Sequence, residues 1–393
     1  SSNYVGGLVG YLRHSLLNCY STGTVRGSGS DTGGLVGSFG DEASDPETII
    51  NSYSLSDVIS SGSNVGGLIG RVFNSSVSVS YSFSAGDVKS GLGNVGGLIG
   101  TTVGDVSDSY SLGNVEASDN RVGGAFGDIG ATSTVSRVYS VGSVYSAAAQ
   151  SVGGFSGYTA GTILDSWSSG NVYANPTQYV GGFIGSLSAS SADIKRSHST
   201  GNIYGSIDVG GFAGRIDGGG TISESYSEGD VYCSNSCGGF LGVITPLGGT
   251  IANNYTFSDV YGGNRTGGFV GYLRSGSLSN NYSSNAINSL GSNVNAFIGD
   301  FEGGTLSYNY WNSDTSIETN GSETVASVAN EYEPLTTLEF FDPLNFNTNW
   351  DYSNNWTQLS SRDYPRHKDT PEGICIDNPT ASNYNANGSG SNL

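Results

Sequence analysis

Basic residues are scarce: 14 Lys and Arg stand against 34 Asp and Glu, a formal net charge of −20. Binding a phosphate backbone requires a basic stripe, so the composition argues against nucleic acid as a partner. An anionic membrane surface is disfavoured on the same ground. No run of about 18 apolar residues occurs, so membrane insertion is not expected. Proline appears only 8 times beside 63 glycines, and no strict G-X-Y period is present, which excludes collagen. Four cysteines are too few for a disulfide scaffold, although Cys233 and Cys237 lie four apart and could close a small loop. No histidine stands near that pair, so zinc is not expected. No charged-then-apolar leader opens the chain at Ser1, as expected of a mature or trimmed N-terminus.

What is present is a repeat. The pattern V-G-G-[LF]-[IV]-G occurs at Val5–Gly10, Val65–Gly70, Val95–Gly100 and Val180–Gly185, with variants between and after them and a decayed copy at Val294–Gly299. Successive copies are 27 to 33 residues apart. Between them lies a second pattern: a small residue, an aromatic, Ser, then G-[DN]-V. Its aromatic position reads Tyr20, Tyr53, Phe83, Tyr110, Tyr139, Trp167, His198, Tyr226, Tyr255, Tyr282 and Tyr310. An aliphatic residue usually stands four before the aromatic, and Val or Ile five after it.

Short β-branched and aromatic segments separated by Gly, Ser, Asn and Asp read as strands and turns, with almost no helix. One repeat cannot bury its apolar face alone; stacked repeats can. The expected fold is therefore all-β: a parallel β-helix (β-solenoid) of roughly 10 or 11 coils, right-handed as the commoner form is. Eleven rungs at about 4.8 Å make a rod on the order of 50 Å long. Residues 1–312 form the solenoid in this reading. Residues 313–370, where repeats stop and aromatics gather, form a C-terminal cap or small β-rich segment covering the open end. Residues 371–393 form a tail module or linker. Glycines are expected at left-handed corners and where neighbouring backbones approach closely.

The V-G-G-L-[IV]-G copies with the intervening Y-S-x-G-x-V resemble the GLUG-motif repeats of bacterial surface and secreted proteins. The resemblance runs from Val5 to Asn312 and continues in Tyr310-Trp311-Asn312, Asn349-Trp350-Asp351-Tyr352-Ser353 and Tyr364-Pro365. It implies a cell-surface adhesin or modular exoprotein, and no single chemistry.

Catalytic groups are sparse. His198 occupies an aromatic position and is expected to stack, while His14 and His367 lie in stretches that read as exposed. Lys195-Arg196 has no acidic cluster beside it in sequence. The G-[DN]-V position holds Asp57, Asp87, Asp230 and Asp259 but also Asn, Ser and Thr, a mixture suited to turn capping more than to acid–base work. No cofactor is expected. Calcium is the one candidate, at Asp41 and Asp45 in one insertion and at Asp377 and Asn383 in the tail.

These readings give a non-enzymatic, secreted or cell-surface repeat protein that binds glycans or surface proteins along its side. The alternative is a polysaccharide lyase or hydrolase on the same scaffold. A coil that begins at Val5 also suggests head-to-tail self-assembly through an uncapped end.

Overall fold

The structure is a computed structural model and describes residues 3–40, 46–315, 332–346, 350–358 and 363–368. Each coil of the solenoid contributes strands to three sheets. In the third coil these are Asn64–Gly66, Ile69–Val72 and then Ser78–Ser80, Phe83–Ser84 and Val88–Ser90. The first and second sheets contain 11 strands each and the third contains 29. Pairing between coils is parallel and in register, so Gly66 lies between Gly33 and Gly96, and Phe83 between Tyr53 and Tyr110. Each column of the solenoid therefore displays one motif position.

Two apolar columns fill the interior. The larger joins the leucine or phenylalanine of the glycine motif, the aliphatics that follow, and the aliphatic before the aromatic, as in Leu68, Ile69, Val72 and Val79. Within it Phe155, Phe183, Phe212, Phe240, Phe269 and Phe297 stack at centroid spacings of 4.5–5.0 Å. The smaller pairs the motif valines Val65, Val95 and Val122 with Val58, Val88 and Val115 of the third sheet.

Between the two columns the cross-section narrows to a neck made of glycine and serine. In most coils a serine follows the aromatic and points inward, and in six of them its hydroxyl donates to the carbonyl of the motif's second glycine at short range. Ser21, Ser84, Ser140, Ser168, Ser199 and Ser227 do so at 2.6–2.8 Å. A Cβ on Gly67 would lie 2.0 Å from the Gly97 carbonyl oxygen and 3.0 Å from Ser84 Cβ. These pairs are thus glycine because backbone crosses backbone, and they do not occupy the left-handed region. Ser140→Ala removes one such bridge and should lower the unfolding free energy by about 1 kcal/mol, read from a urea midpoint.

Left-handed corners occur at glycines, as expected, from Gly23 and Gly40 to Gly304, and also at non-glycine residues. Some of these stand just before the glycine motif, at Asn120, Asp208, Ser236, Arg265 and Asn293. The largest set lies two residues before each aromatic, from Asn18 through Arg137 to Tyr308, with φ of 48–58°. Such a conformation costs roughly 1–2 kcal/mol for an L-residue. The next residue offsets it. Ser52, Ser82, Ser166, Ser197 and Ser225, then Asn254, Asn281 and Asn309, each accept the amide of the preceding coil at 2.9–3.3 Å. Each of these serine hydroxyls also donates to the carbonyl two residues back, at 2.8–3.1 Å. The result is a hydrogen-bonded spine interrupted at Val138, which faces Ser109 and has no side-chain acceptor. Asn254 and Asn281 open N-x-S/T sequons, yet both are fully buried in this spine with their amide nitrogens bonded.

The C-terminal segment extends the third sheet, with Tyr332–Leu335 pairing parallel to Asn309–Asn312. Thr336 and Glu339 then form a reciprocal capping box on the single helical turn Thr337–Phe340. From there the segment turns along the side of the solenoid. Phe340, Phe346, Trp350 and Trp356 pack with Tyr255, Tyr282 and Tyr310 in one cluster. Tyr282 donates to the Pro365 carbonyl at 2.6 Å, and the Trp350 indole to the Tyr308 carbonyl at 3.0 Å. The segment therefore covers the lateral face of the last coils as well as the edge of the third sheet.

The candidate binding surface on the third sheet

Along the strand Tyr53–Ser60 burial alternates strictly, with Tyr53, Leu55, Asp57 and Ile59 outward and Ser54, Ser56, Val58 and Ser60 inward. Stacking multiplies these four outward residues into four parallel columns running the length of the solenoid.

The first column is the aromatic one. From Tyr20 through Tyr53, Phe83, Tyr110, Tyr139, Trp167, His198, Tyr226 and Tyr255 to Tyr282, centroids of successive rings lie 4.6–6.0 Å apart and within 10° of parallel. Tyr310 continues the register. Exposure falls along the column, from 59% at Tyr20 to 0% at Tyr282, where the C-terminal segment lies over it. Because each ring covers its neighbour's face, the column offers edges and hydroxyls to solvent. Stacking of a sugar on a ring face is blocked everywhere along it.

The third column is the G-[DN]-V position. Its side-chain oxygens accept the amide of the next coil: Asp57 from Asp87, Asp87 from Asn114, Asn114 from Ser143, Asn171 from Asn202, Asn202 from Asp230 and Asp259 from Ala286, at 2.8–3.1 Å. Asp, Asn and their neighbours interchange because only the acceptor oxygen matters. Burial first and the neighbouring Asp259 charge second raise the pKa of Asp230.

The fourth column holds a second ladder that recurrence in the sequence does not reveal. Tyr145, Tyr173, Tyr204, Tyr232 and Tyr261 stack at 4.7–5.1 Å, within 10° of parallel. The same position carries Arg26, Ile59, Lys89 and Glu116 in the first four coils, so it forms no motif. The sequence signal is the run of Tyr after Val or Ile in five consecutive coils.

Other candidate residues fall as follows. Cys233 and Cys237 form a disulfide with Cα atoms 5.9 Å apart, leading into the first-sheet strand of the ninth coil. Lys195 pairs with Glu224 at 2.8 Å, and Arg196 with Asp165 at 2.5 Å. The acidic partners missing beside Lys195-Arg196 in sequence come from adjacent coils. Asp41, Asp45, Asp377 and Asn383 lie outside the described residues. Among the described residues no three His, Cys, Asp or Glu side chains gather as a metal site would require. No helix among them is long and apolar enough to cross a membrane.

His367, which reads as exposed in sequence, is buried against Tyr255 and Trp356, with Nε2 2.7 Å from the Asn253 carbonyl oxygen. Burial pushes its pKa down to about 4. Between pH 6.5 and about 4 the unfolded chain binds a proton that the folded chain does not, so stability is lost as the pH falls. The full loss is on the order of 3 kcal/mol. Hydrogen bonds from Ser353 and Asn354 hold Asp351 at about 2, which adds a further loss below its ordinary value of 3.8. Acid titration followed by tryptophan fluorescence should show the C-terminal segment loosening below pH 6, before far-UV circular dichroism changes. His367→Gln should flatten the first step and leave the second.

The architecture defines the class: a parallel β-solenoid whose coils are held in register by glycine, serine and asparagine columns. The family model of the GLUG motif matches residues 1–26 and 205–232. The chain carries the GLUG motif, and in this structure each match spans about one coil, from its first-sheet strand through the third sheet. No curated protein and no solved structure matches the chain.

Proposed function

We propose that the chain is an extracellular structural or adhesive repeat protein, an adhesin, stalk or filament subunit of bacterial surface type. In this reading it holds glycans or surface proteins along the third sheet. One observation carries the reading. In the carboxylate and amide column that runs down this face, a side-chain oxygen of most members accepts the amide of the neighbouring coil, a scaffold role that supports this reading. The face is long, regular and rich in phenol hydroxyls, which suits extended contact. Glycan-array binding and a polysaccharide digestion panel, run on the same preparation, test it. Retention without new reducing ends or unsaturated products supports it.

The enzymatic alternative rests on the Asp230–Asp259 pair, because there burial and like charge raise a carboxyl pKa as a proton donor requires. Turnover lost in Asp230→Asn would establish that alternative.

A further inference from the structure

The aromatic column has two halves in different states. Over the last coils it is covered by the chain's own aromatic segment, whereas from Tyr53 to Tyr139 the same column faces solvent. The neighbouring outward column is apolar in four consecutive coils over that stretch, at Leu55, Ala85, Leu112 and Val141, and then reads Ser169, Thr200, Glu228 and Phe257. Leu55 and Leu112 are 46% and 38% exposed. No charged side chain stands in either column between the second and fifth coils. Where the column carries Phe257, the chain's own segment packs against it, whereas the four-coil apolar run has no such cover.

We propose that this strip is a self-association surface, paired with the same strip of a second copy about a two-fold axis. The order Leu55, Ala85, Leu112 is large, small, large at equal rung spacing. An axis through Ala85 therefore sets Leu55 against the partner's Leu112 and leaves the small residue where the two sheets come closest. Isologous contacts need this kind of self-complementarity. A row of aliphatic side chains beside ring edges offers a polyol no hydrogen bonds, so a glycan is the poorer occupant. The strip spans four rungs, about 14 Å from first to last. A patch of that length buries less than the roughly 1,200 Å² of stable complexes, so the dimer is weak. The contact is lateral, and it stands or falls independently of the ligand reading above.

Sedimentation velocity from about 10 µM to about 1 mM decides it. The wild-type chain should shift from monomer to dimer, more completely at high salt because screening relieves repulsion between copies of net charge −20. Leu55→Lys with Leu112→Lys should weaken the dimer at least about tenfold with an unchanged circular dichroism spectrum. Leu290→Lys, at a residue 83% exposed on another part of the coil, should leave it intact. A chain that stays monomeric throughout, or a dimer unaffected by the lysine pair, overturns the proposal.

Discussion

Gly67→Ala should cost at least about 3 kcal/mol and lower the melting temperature by on the order of 10 °C, although it adds one methyl group. The added carbon would sit 2.0 Å from the Gly97 carbonyl oxygen and 3.0 Å from Ser84 Cβ. Neither neighbour is the free end of a flexible chain. Relief requires prising two coils apart, which also disturbs the hydroxyl bridge from Ser84 to Gly97, 2.6 Å long. Gly91→Ala is the matched control. A Cβ there meets nothing within 4 Å and its backbone is not left-handed. It should be neutral or slightly stabilising through the unfolded chain. Thermal melts of the two variants separate glycine required by packing from glycine tolerated in a loop.

Trp356→Ala should release the C-terminal segment while leaving the solenoid folded. Trp356 is fully buried, stacks on Trp350 at 4.5 Å and lies 6.0 Å from Tyr282. Truncating such a side chain costs about 3–5 kcal/mol. The segment holds on chiefly through this cluster, since its sheet pairing is one four-residue strand. The loss should therefore appear as local opening. Limited proteolysis should cut within 332–368 and spare the coils, and hydrogen exchange should rise at Tyr255 and Tyr282. Global unfolding of the coils at the same midpoint would show that the segment is integral to the solenoid.

The fold was legible because recurrence is a strong signal when one residue type alone fits a position. V-G-G recurs because a side chain on either glycine would strike backbone, and its 27–33-residue spacing sets the coil. Other features left weaker traces. The left-handed corners before the aromatics carry Asn, Asp, Arg, Glu and Tyr, so no glycine marks that set, and in most coils their support comes from a serine or asparagine one residue later. The second tyrosine ladder occupies five coils of a position that is otherwise Arg, Ile, Lys, Glu or Asn, and it follows Val or Ile residues whose recurrence is set by the core they fill. His367 reads as surface because its neighbours are Arg366 and Lys368; its burial depends on rings more than 80 residues away in sequence, such as Tyr255. Long-range docking of a non-repeating segment has no periodic signature.

Register between coils is the claim on which every column depends, and paired cysteines measure it directly. Lys89 and Glu116 are exposed partners on adjacent strands, while Lys89 and Arg26 are separated by one intervening strand through Ile59. Adjacent parallel strands place Cα atoms about 4.8 Å apart, within disulfide reach; two rungs place them near 10 Å, beyond it. Lys89→Cys with Glu116→Cys should therefore oxidise readily to an intramolecular disulfide, identified by peptide mass mapping. Lys89→Cys with Arg26→Cys should not. Equal cross-linking of both pairs, or bridging of the second alone, would contradict the in-register stacking of the coils.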